Sequence, residues 1–188
     1  YQFASETRRE AALQAPAWRD GRPSLAEQET SPIFSSPGEM LELLNRHLYR
    51  STQPEKYATL FLAHYEAEQR RLTYANGGHL PPILLCADGS LKRLACGGTV
   101  VGLLDGVHYK QDSVVLGAGD LLVAYSDGVT EPENEFGEFG EERLIDLVRR
   151  NRHLPLPAIT SRVLQSLRDW IGEEEQPDDI TLVLARQQ

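Results

Sequence analysis

The sequence predicts an α+β fold in which a run of antiparallel strands is followed by two helices and a closing strand. Short apolar segments rich in β-forming residues come in consecutive pairs, and only a few turn residues separate the members of each pair. Segments with apolar residues at helical spacing lie before and after this run, not between its strands. This order favours a sandwich of sheets flanked by helices over alternating βαβ units.

The first part of the chain is predicted to be the remnant of a helix followed by an irregular linker, together residues 1–36. Residues 1–14 resemble the tail of a helix that has no start signal, and the chain begins at Tyr1 without a methionine. Residues 16–37 are rich in Pro, Ser, Glu and Gln and show no sustained period. We therefore expect the chain to be a fragment of a longer protein.

A helix is predicted from residue 37 to about residue 50. Ser36 is the expected N-cap, Pro37 occupies the first helical position, and Glu39 would complete a capping box with Ser36. Five apolar residues recur at helical spacing and would face the core. They are Met40, Leu41, Leu44, Leu48 and Tyr49.

Three hairpins are predicted after this helix, each joined by a short turn. They pair residues 57–66 with 70–76, "PPILLCA" with "SLKRLA", and "HYKQDSVVL" with "DLLVAYS". Two helices, "GEERLIDLVRRN" and "LPAITSRVLQSLRDWIG", then precede a last strand, "ITLVLAR". In the second helix one face is apolar, formed by Ile159, Val163, Leu167 and Trp170.

The composition argues against several classes of partner. The formal net charge is -9, whereas nucleic acids and anionic membranes both need a basic surface. The chain contains only two cysteines, Cys86 and Cys96, and we expect them to be reduced thiols in an intracellular protein, with a cross-strand disulfide or a metal pair as the alternative. The predicted location is cytoplasmic, although membrane tethering of a full-length protein is compatible with this sequence.

Carboxylates lie at the ends of two predicted strands. Asp127 follows "LLVAYS", and Asp178 and Asp179 precede the last strand. If the two strands are neighbours, these side chains meet at one rim of the sheet, where their mutual repulsion calls for a cation. Oxygen ligands of this kind suit Mg²⁺ or Mn²⁺. The alternative is structural, because Asp-Gly and Pro-Asp-Asp also mark turns and loops.

The loop "YANGGHLPP" is a second candidate site. Asn76, Gly77 and Gly78 precede His79, and the two glycines permit backbone conformations that are closed to other residues. His79 is a candidate for contacting a substrate. A histidine in such a loop can equally be structural or merely exposed.

Six motifs occur in a fixed order, and together they are more specific than any one alone. They are "NRHLYRS", "YATLF", "LTYANGGHLPPILL", "GDLLVAYSDGVTE", "FGEERL" and "PDDITLVL". This set resembles the metal-dependent protein phosphatase family (protein phosphatase 2C-like), in its bacterial SpoIIE/RsbU-type branch, over residues 37–188. The resemblance implies an αββα sandwich with a site for two Mn²⁺ or Mg²⁺ ions. It also implies hydrolysis of phosphoserine or phosphothreonine on a regulatory protein such as an anti-sigma-factor antagonist.

The resemblance also assigns roles to residues of the two candidate sites. Asp127 and Asp178 correspond to metal ligands, with Asp179 as an adjacent candidate. Gly128 would keep the backbone clear of metal-bound water. His79 would lie near the active site, where it could contact phosphate or a bridging water.

Two motifs of the family are missing from this sequence. They are a Gly-Asp pair near the start of the domain, and an aspartate followed by a turn like Gly-Lys-Gly and a helix. Residues 37–188 are therefore expected to be the C-terminal portion of the domain, without its N-terminal strands and with about half of the metal ligands. We expect the fragment to be inactive or nearly so and the parent protein to be a phosphatase. The alternative is a degenerate, non-catalytic module that acts by protein–protein interaction.

Three partners follow from these expectations. The substrate would be a phosphorylated regulatory protein, and a sensory domain would lie upstream in the full protein. Sheet edges left open by the missing strands favour a homodimer.

Overall fold

The computed structural model describes residues 36–53, 55–172 and 178–188, and these fold into two four-stranded sheets with helices on their outer faces. The helices are α1 (Pro37–Ser51), α2 (Asp127–Thr130), α3 (Gly140–Asn151) and α4 (Leu156–Ile171). The strands are β1 (Leu60–Glu66), β2 (Arg71–Gly77), β3 (Ile83–Leu85), β4 (Leu91–Arg93), β5 (Gly97–Gly98), β6 (Asp112–Val115), β7 (Leu121–Tyr125), β8 (Glu133–Asn134), β9 (Gly137–Glu138) and β10 (Leu182–Arg186). The predicted α+β class is confirmed.

The first sheet has the order β1-β2-β5, with β6 also paired to β2, and the second has the order β10-β7-β3-β4. All pairs are antiparallel except β2 with β5. The hairpins β1–β2 and β3–β4 were predicted and are confirmed. A small third sheet pairs β8 with β9 within the acidic stretch of residues 131–138.

The third predicted hairpin is wrong, because β6 and β7 belong to different sheets. Strand β6 pairs with β2, whereas β7 pairs with β3 and β10. The buried carboxylate of Asp120 fixes this change of sheet: one oxygen accepts the N–H of Gly117 (2.8 Å) and the other accepts the N–H of Ala87 beside the β3–β4 turn (2.7 Å). The turn signal was correct, but the partner of the following strand depends on this distant contact.

Three apolar clusters define the layers, which follow the order helix, sheet, sheet, helices. Leu41 of α1 and Ala75 of β2 pack on the outside of the first sheet. Tyr74, which directly precedes Ala75 in β2, points the other way and packs with Leu84 between the two sheets. The largest cluster joins the second sheet to α3 and α4 and includes the three predicted residues Ile159, Val163 and Leu167. Alternate residues of each strand thus face different layers, as the pleat of a strand requires.

Helix α1 begins where predicted, but its capping box is not formed. Ser36 is the N-cap, yet its hydroxyl makes no cap hydrogen bond and instead donates to Oε1 of Gln111 (3.2 Å). The same oxygen accepts the N–H of Gly38 (3.2 Å). The side chain of Gln111, 73 residues away, therefore accepts a hydrogen bond from a backbone N–H at the start of the helix. Local sequence patterns do not reveal this contact.

The predicted helix remnant and most of the linker (residues 1–35) lie outside the described residues. Within the part of the chain that the structure describes, no helix has the length and apolarity needed to cross a membrane.

Candidate metal site at the ends of strands β7 and β10

The two aspartate loops leave the second sheet at the same end. Strands β7 and β10 are antiparallel neighbours, and Tyr125, the last residue of β7, pairs with Leu182, the first residue of β10. Asp127 therefore follows β7 at the edge where Asp178 and Asp179 lead into β10. The expectation that the two strands are neighbours is correct.

Ser126 joins the two loops by three hydrogen bonds. Its backbone N–H donates to the carbonyl of Thr181 (3.0 Å), and its Oγ accepts the N–H of Thr181 (2.9 Å). The hydroxyl in turn donates to the carbonyl of Asp179 (3.0 Å). One side chain thus fixes the spacing of the Asp127 loop relative to the Asp179 loop.

Gly128 allows the two loops to touch. A Cβ atom on Gly128 would lie 2.4 Å from the carbonyl oxygen of Asp179 and 3.3 Å from that of Asp178. Real Cβ atoms essentially never approach a backbone oxygen as closely as the first of these distances. The glycine is therefore required by contact between backbones, whereas its expected role beside metal-bound water stays a prediction.

The three carboxylates are exposed at this rim. Asp127 is the first residue of the short helix α2, and its Oδ1 accepts the N–H of Gly128 (3.0 Å). Asp178 accepts the N–H of Asp179 in the same way (2.7 Å). Each contact is local, because the carboxylate accepts the N–H of the next residue and so keeps a defined direction.

Carboxylate oxygens are the ligands that Mg²⁺ and Mn²⁺ prefer, so the chemistry of the donors fits a divalent cation. Their number is smaller than a complete site needs. Among residues 36–53, 55–172 and 178–188, no group of three or more His, Cys, Asp or Glu side chains is arranged to hold a metal ion. The metal-ligand roles of Asp127, Asp178 and Asp179 therefore stay a prediction.

The loop of His79 is held by Asn76 rather than by the aspartates. The buried side chain of Asn76 accepts the N–H of His79 (2.8 Å) and donates to its carbonyl (2.9 Å). Between them, Gly78 has φ +77°, a conformation that favours glycine. Nδ1 of His79 lies 3.3 Å from Oγ1 of Thr59. Among the described residues, no hydrogen bond joins His79 to Asp127.

A network beside the site was not found from the sequence. Glu141, in the first turn of α3, accepts the hydroxyl proton of the buried Tyr125 (2.7 Å) and pairs with Arg93 of β4, whose Nε lies 2.8 Å from Oε1. Burial, and then the bond to Glu141, raises the pKa of Tyr125. Partial burial opposes ionisation of Glu141, but the bonds from Arg93 and Tyr125 outweigh it and lower its pKa. Tyr125 directly precedes Ser126, so this network fixes the end of β7.

We expect the substitution Glu141→Gln to remove stability that depends on pH. The folded-state pKa of Glu141 lies below its ordinary value of 4.5, so its ionised form stabilises the fold above that pH and the contribution disappears as the pH falls through the lowered pKa. Urea unfolding should show a free energy of unfolding about 1–2 kcal/mol below that of the wild type at neutral pH, and this deficit should shrink as the pH falls below 4.5. A deficit that stays constant over this range would contradict the assignment.

Comparison with known proteins identifies the class. The sequence model described as stage II sporulation protein E (SpoIIE) matches residues 10–188, so the chain belongs to the SpoIIE family. The chain is 29% identical over 151 residues to phosphoserine phosphatase RsbU of Bacillus subtilis (strain 168), covering 80% of this chain and 45% of that protein. It is 33% identical over 130 residues to protein IcfG of Synechocystis sp., covering 68% and 20% respectively. The chain thus spans less than half the length of these two relatives.

Solved structures show the same fold. The SiaA-PP2C domain of Pseudomonas aeruginosa superposes with a TM-score of 0.72 at 20% identity, over 82% of this chain and 62% of that one. The RsbU and RsbW domains of Rv1364c from Mycobacterium tuberculosis give a TM-score of 0.68 at 26% identity, over 81% and 42%. The predicted resemblance to the SpoIIE/RsbU branch is confirmed, and the relatives named for an activity are phosphoserine phosphatases.

Proposed function

We propose that this chain is the C-terminal portion, residues 37–188, of a metal-dependent protein phosphatase. Its substrate would be phosphoserine or phosphothreonine on a regulatory protein such as an anti-sigma-factor antagonist. The observation that supports this most is the meeting of the Asp127 and Asp178–Asp179 loops, joined by Ser126 and by the close contact of Gly128. Membership of the SpoIIE family supports the same class of reaction.

In this proposal Asp127 and Asp178 hold Mn²⁺ or Mg²⁺, and Asp179 is an adjacent candidate. A bound metal would supply an activated water and offset negative charge on the phosphoryl group. Ser126 sets the distance between the two ligand loops through its bonds to Thr181 and Asp179. His79 is retained as a candidate for contacting the phosphate.

One observation favours a second candidate function, a non-catalytic module that binds and regulates a partner. Among the described residues, no three metal-ligating side chains are grouped together. Fewer than three ligands are too few for an independent two-metal centre. Under this alternative, Asp127, Asp178 and Asp179 would have a structural role only. The two candidates differ in whether a longer form of the protein releases phosphate.

The deciding experiment measures Mn²⁺-dependent phosphate release from a phosphoserine protein such as phosphorylated casein. We expect residues 1–188 alone to be inactive or nearly so, because two carboxylates hold a divalent cation weakly. A longer form that supplies the Gly-Asp and Asp-x-x-Gly motifs should turn over, and a chelator should stop it. Robust turnover by residues 1–188 would contradict the incomplete site, and a longer form without Mn²⁺-dependent turnover would favour the module.

We further propose a cytoplasmic protein with an upstream sensory domain and a phosphorylated regulatory protein as partner. The outer edge of β1 is not paired with another strand of the described residues, nor is that of β10. Open edges pair readily with a second chain, so we propose a homodimer for residues 1–188. Sedimentation measurements would test this, and a strictly monomeric chain would count against it.

A further inference from the structure

The segment Asn45–Arg50 makes up most of the "NRHLYRS" motif and has no role in the proposed phosphatase reaction. Its first residue, Asn45, is buried and makes hydrogen bonds to a distant loop. Nδ2 of Asn45 donates to the carbonyl of Leu104 (2.9 Å), and its Oδ1 accepts the N–H of Gly102 (2.7 Å). Gly102 has φ +93°, and a Cβ there would lie 2.9 Å from Cβ of Leu48. The loop that follows residue 101 is therefore held closely against α1.

An open cavity of about 300 Å³ lies between α1 and this loop. The helix contributes Arg46 and Arg50, and the loop contributes Asp105 and His108. A volume of this order is at the lower end of the range found for small-molecule sites in proteins. Because Asn45 fixes both walls, the cavity exists before any ligand binds.

The acids that line this cavity have hydrogen-bond partners, whereas among the described residues the two arginines have none. Oε1 of Glu42 accepts the Nδ1–H of His108 (3.1 Å) and the N–H of Tyr109 (3.4 Å). Oδ1 of Asp105 accepts the N–H of Gly106 (2.9 Å).

Arg46 and Arg50 lie one helical turn apart and line the same cavity. Neither guanidinium makes a hydrogen bond or an ion pair with any residue that the structure describes. Since neither has an acid partner in the described part of the chain, these two arginines present two sets of paired N–H donors to a ligand that enters the cavity.

We propose that this cavity binds a small molecule that carries a phosphate or carboxylate group, held by Arg46 and Arg50. Guanidinium groups bind both oxyanions through paired, charge-assisted hydrogen bonds. The carboxylates of Glu42 and Asp105, which also line the cavity, repel such a group, so the anion would lie beside the guanidinium groups of Arg46 and Arg50. Helix α1 packs on the first sheet, whereas Asp127 follows a strand of the second sheet. The proposal therefore goes beyond the phosphatase function and does not depend on it.

The test is a titration of the isotope-labelled chain, followed residue by residue through its backbone amide NMR signals. The probes are inorganic phosphate and citrate, added separately in metal-free buffer at constant ionic strength. At least one of them should shift the amides of Asn45–Arg50 and Gly102–His108 in a saturable way. The double variant Arg46→Gln/Arg50→Gln should weaken this binding about tenfold or more.

The matched control is Arg149→Gln/Arg150→Gln on α3, which removes the same charge from exposed arginines that lie 3.6 Å from Asp146. This control should bind phosphate and citrate like the wild type. The variant Arg46→Lys/Arg50→Lys keeps the charge but loses the paired N–H donors of the guanidinium groups, so it should bind with intermediate affinity.

Shifts that do not saturate, or an equal loss of binding in the Arg46/Arg50 and Arg149/Arg150 glutamine variants, would overturn the proposal. Comparison of the two probes shows whether a phosphate or a carboxylate is preferred. No metal and no phosphoprotein is present, so failure of this test and failure of the phosphatase assay are distinguishable.

Discussion

Replacing Asp127 by asparagine in a catalytically active longer form should lower the Mn²⁺-dependent rate of phosphate release at least about 100-fold. The substitution removes the charge that would bind the cation, but an amide oxygen can still accept the N–H of Gly128, now 3.0 Å from Oδ1. The residue is exposed, so the free energy of unfolding should change by less than about 0.5 kcal/mol. Activity and stability are thereby separated, which a structural role for Asp127 would not produce.

Glu135→Gln is the matched control for Asp127→Asn. Glu135 is exposed, follows Asp127 by eight residues, and is not among the proposed metal ligands. Steady-state kinetics with Mn²⁺ varied would separate loss of metal affinity from loss of turnover at saturating metal. Equal rates for Asp127→Asn and Glu135→Gln would remove Asp127 from the proposed ligand set.

Local patterns predicted those parts of the fold that local interactions determine. The hairpins β1–β2 and β3–β4 close over short turns, so neighbours in sequence are neighbours in the sheet. Helices α3 and α4 follow from apolar residues at helical spacing, and three of the four predicted core residues of α4 are buried.

Features fixed by distant side chains were not predictable in this way. Gln111 satisfies the start of α1 from 73 residues away, and Asp120 directs β7 into the second sheet through Ala87. In both cases an ordinary polar residue acts through a contact made only in the folded chain. No sequence period or turn signal marks such a contact.

The candidate site also combines features that local sequence patterns predict with features that depend on distant contacts. The positions of Asp127 and Asp178 at strand ends were visible in the sequence, because one apolar run ends two residues before Asp127 and another starts shortly after Asp178. The contribution of Ser126 was not, since it depends on the register that pairs Tyr125 with Leu182. A serine between a strand and an aspartate is common, and only the fold shows that it joins two loops.

Replacing Gly97 by alanine should destabilise the protein by more than about 3 kcal/mol. A Cβ on Gly97 would lie 1.8 Å from the carbonyl oxygen of Asn76 and 2.5 Å from its carbonyl carbon and nitrogen. These are backbone atoms of a central strand, so no rotamer change relieves the clash. Urea unfolding should show a much lower midpoint, or the variant should fail to fold.

Gly117→Ala is the control for Gly97→Ala, because its Cβ would meet nothing closer than 3.4 Å and its φ is not in the left-handed region. It should remain within about 1 kcal/mol of the wild type. A Gly97→Ala protein as stable as this control would mean that β5 can move away from β2.

If the Gly97→Ala variant folds, the amide signals of Asn76 and His79 should shift most. The Asn76 backbone meets the new methyl group, while its side chain holds the His79 loop through two hydrogen bonds. The strain at Gly97 would therefore reach the candidate loop through one residue.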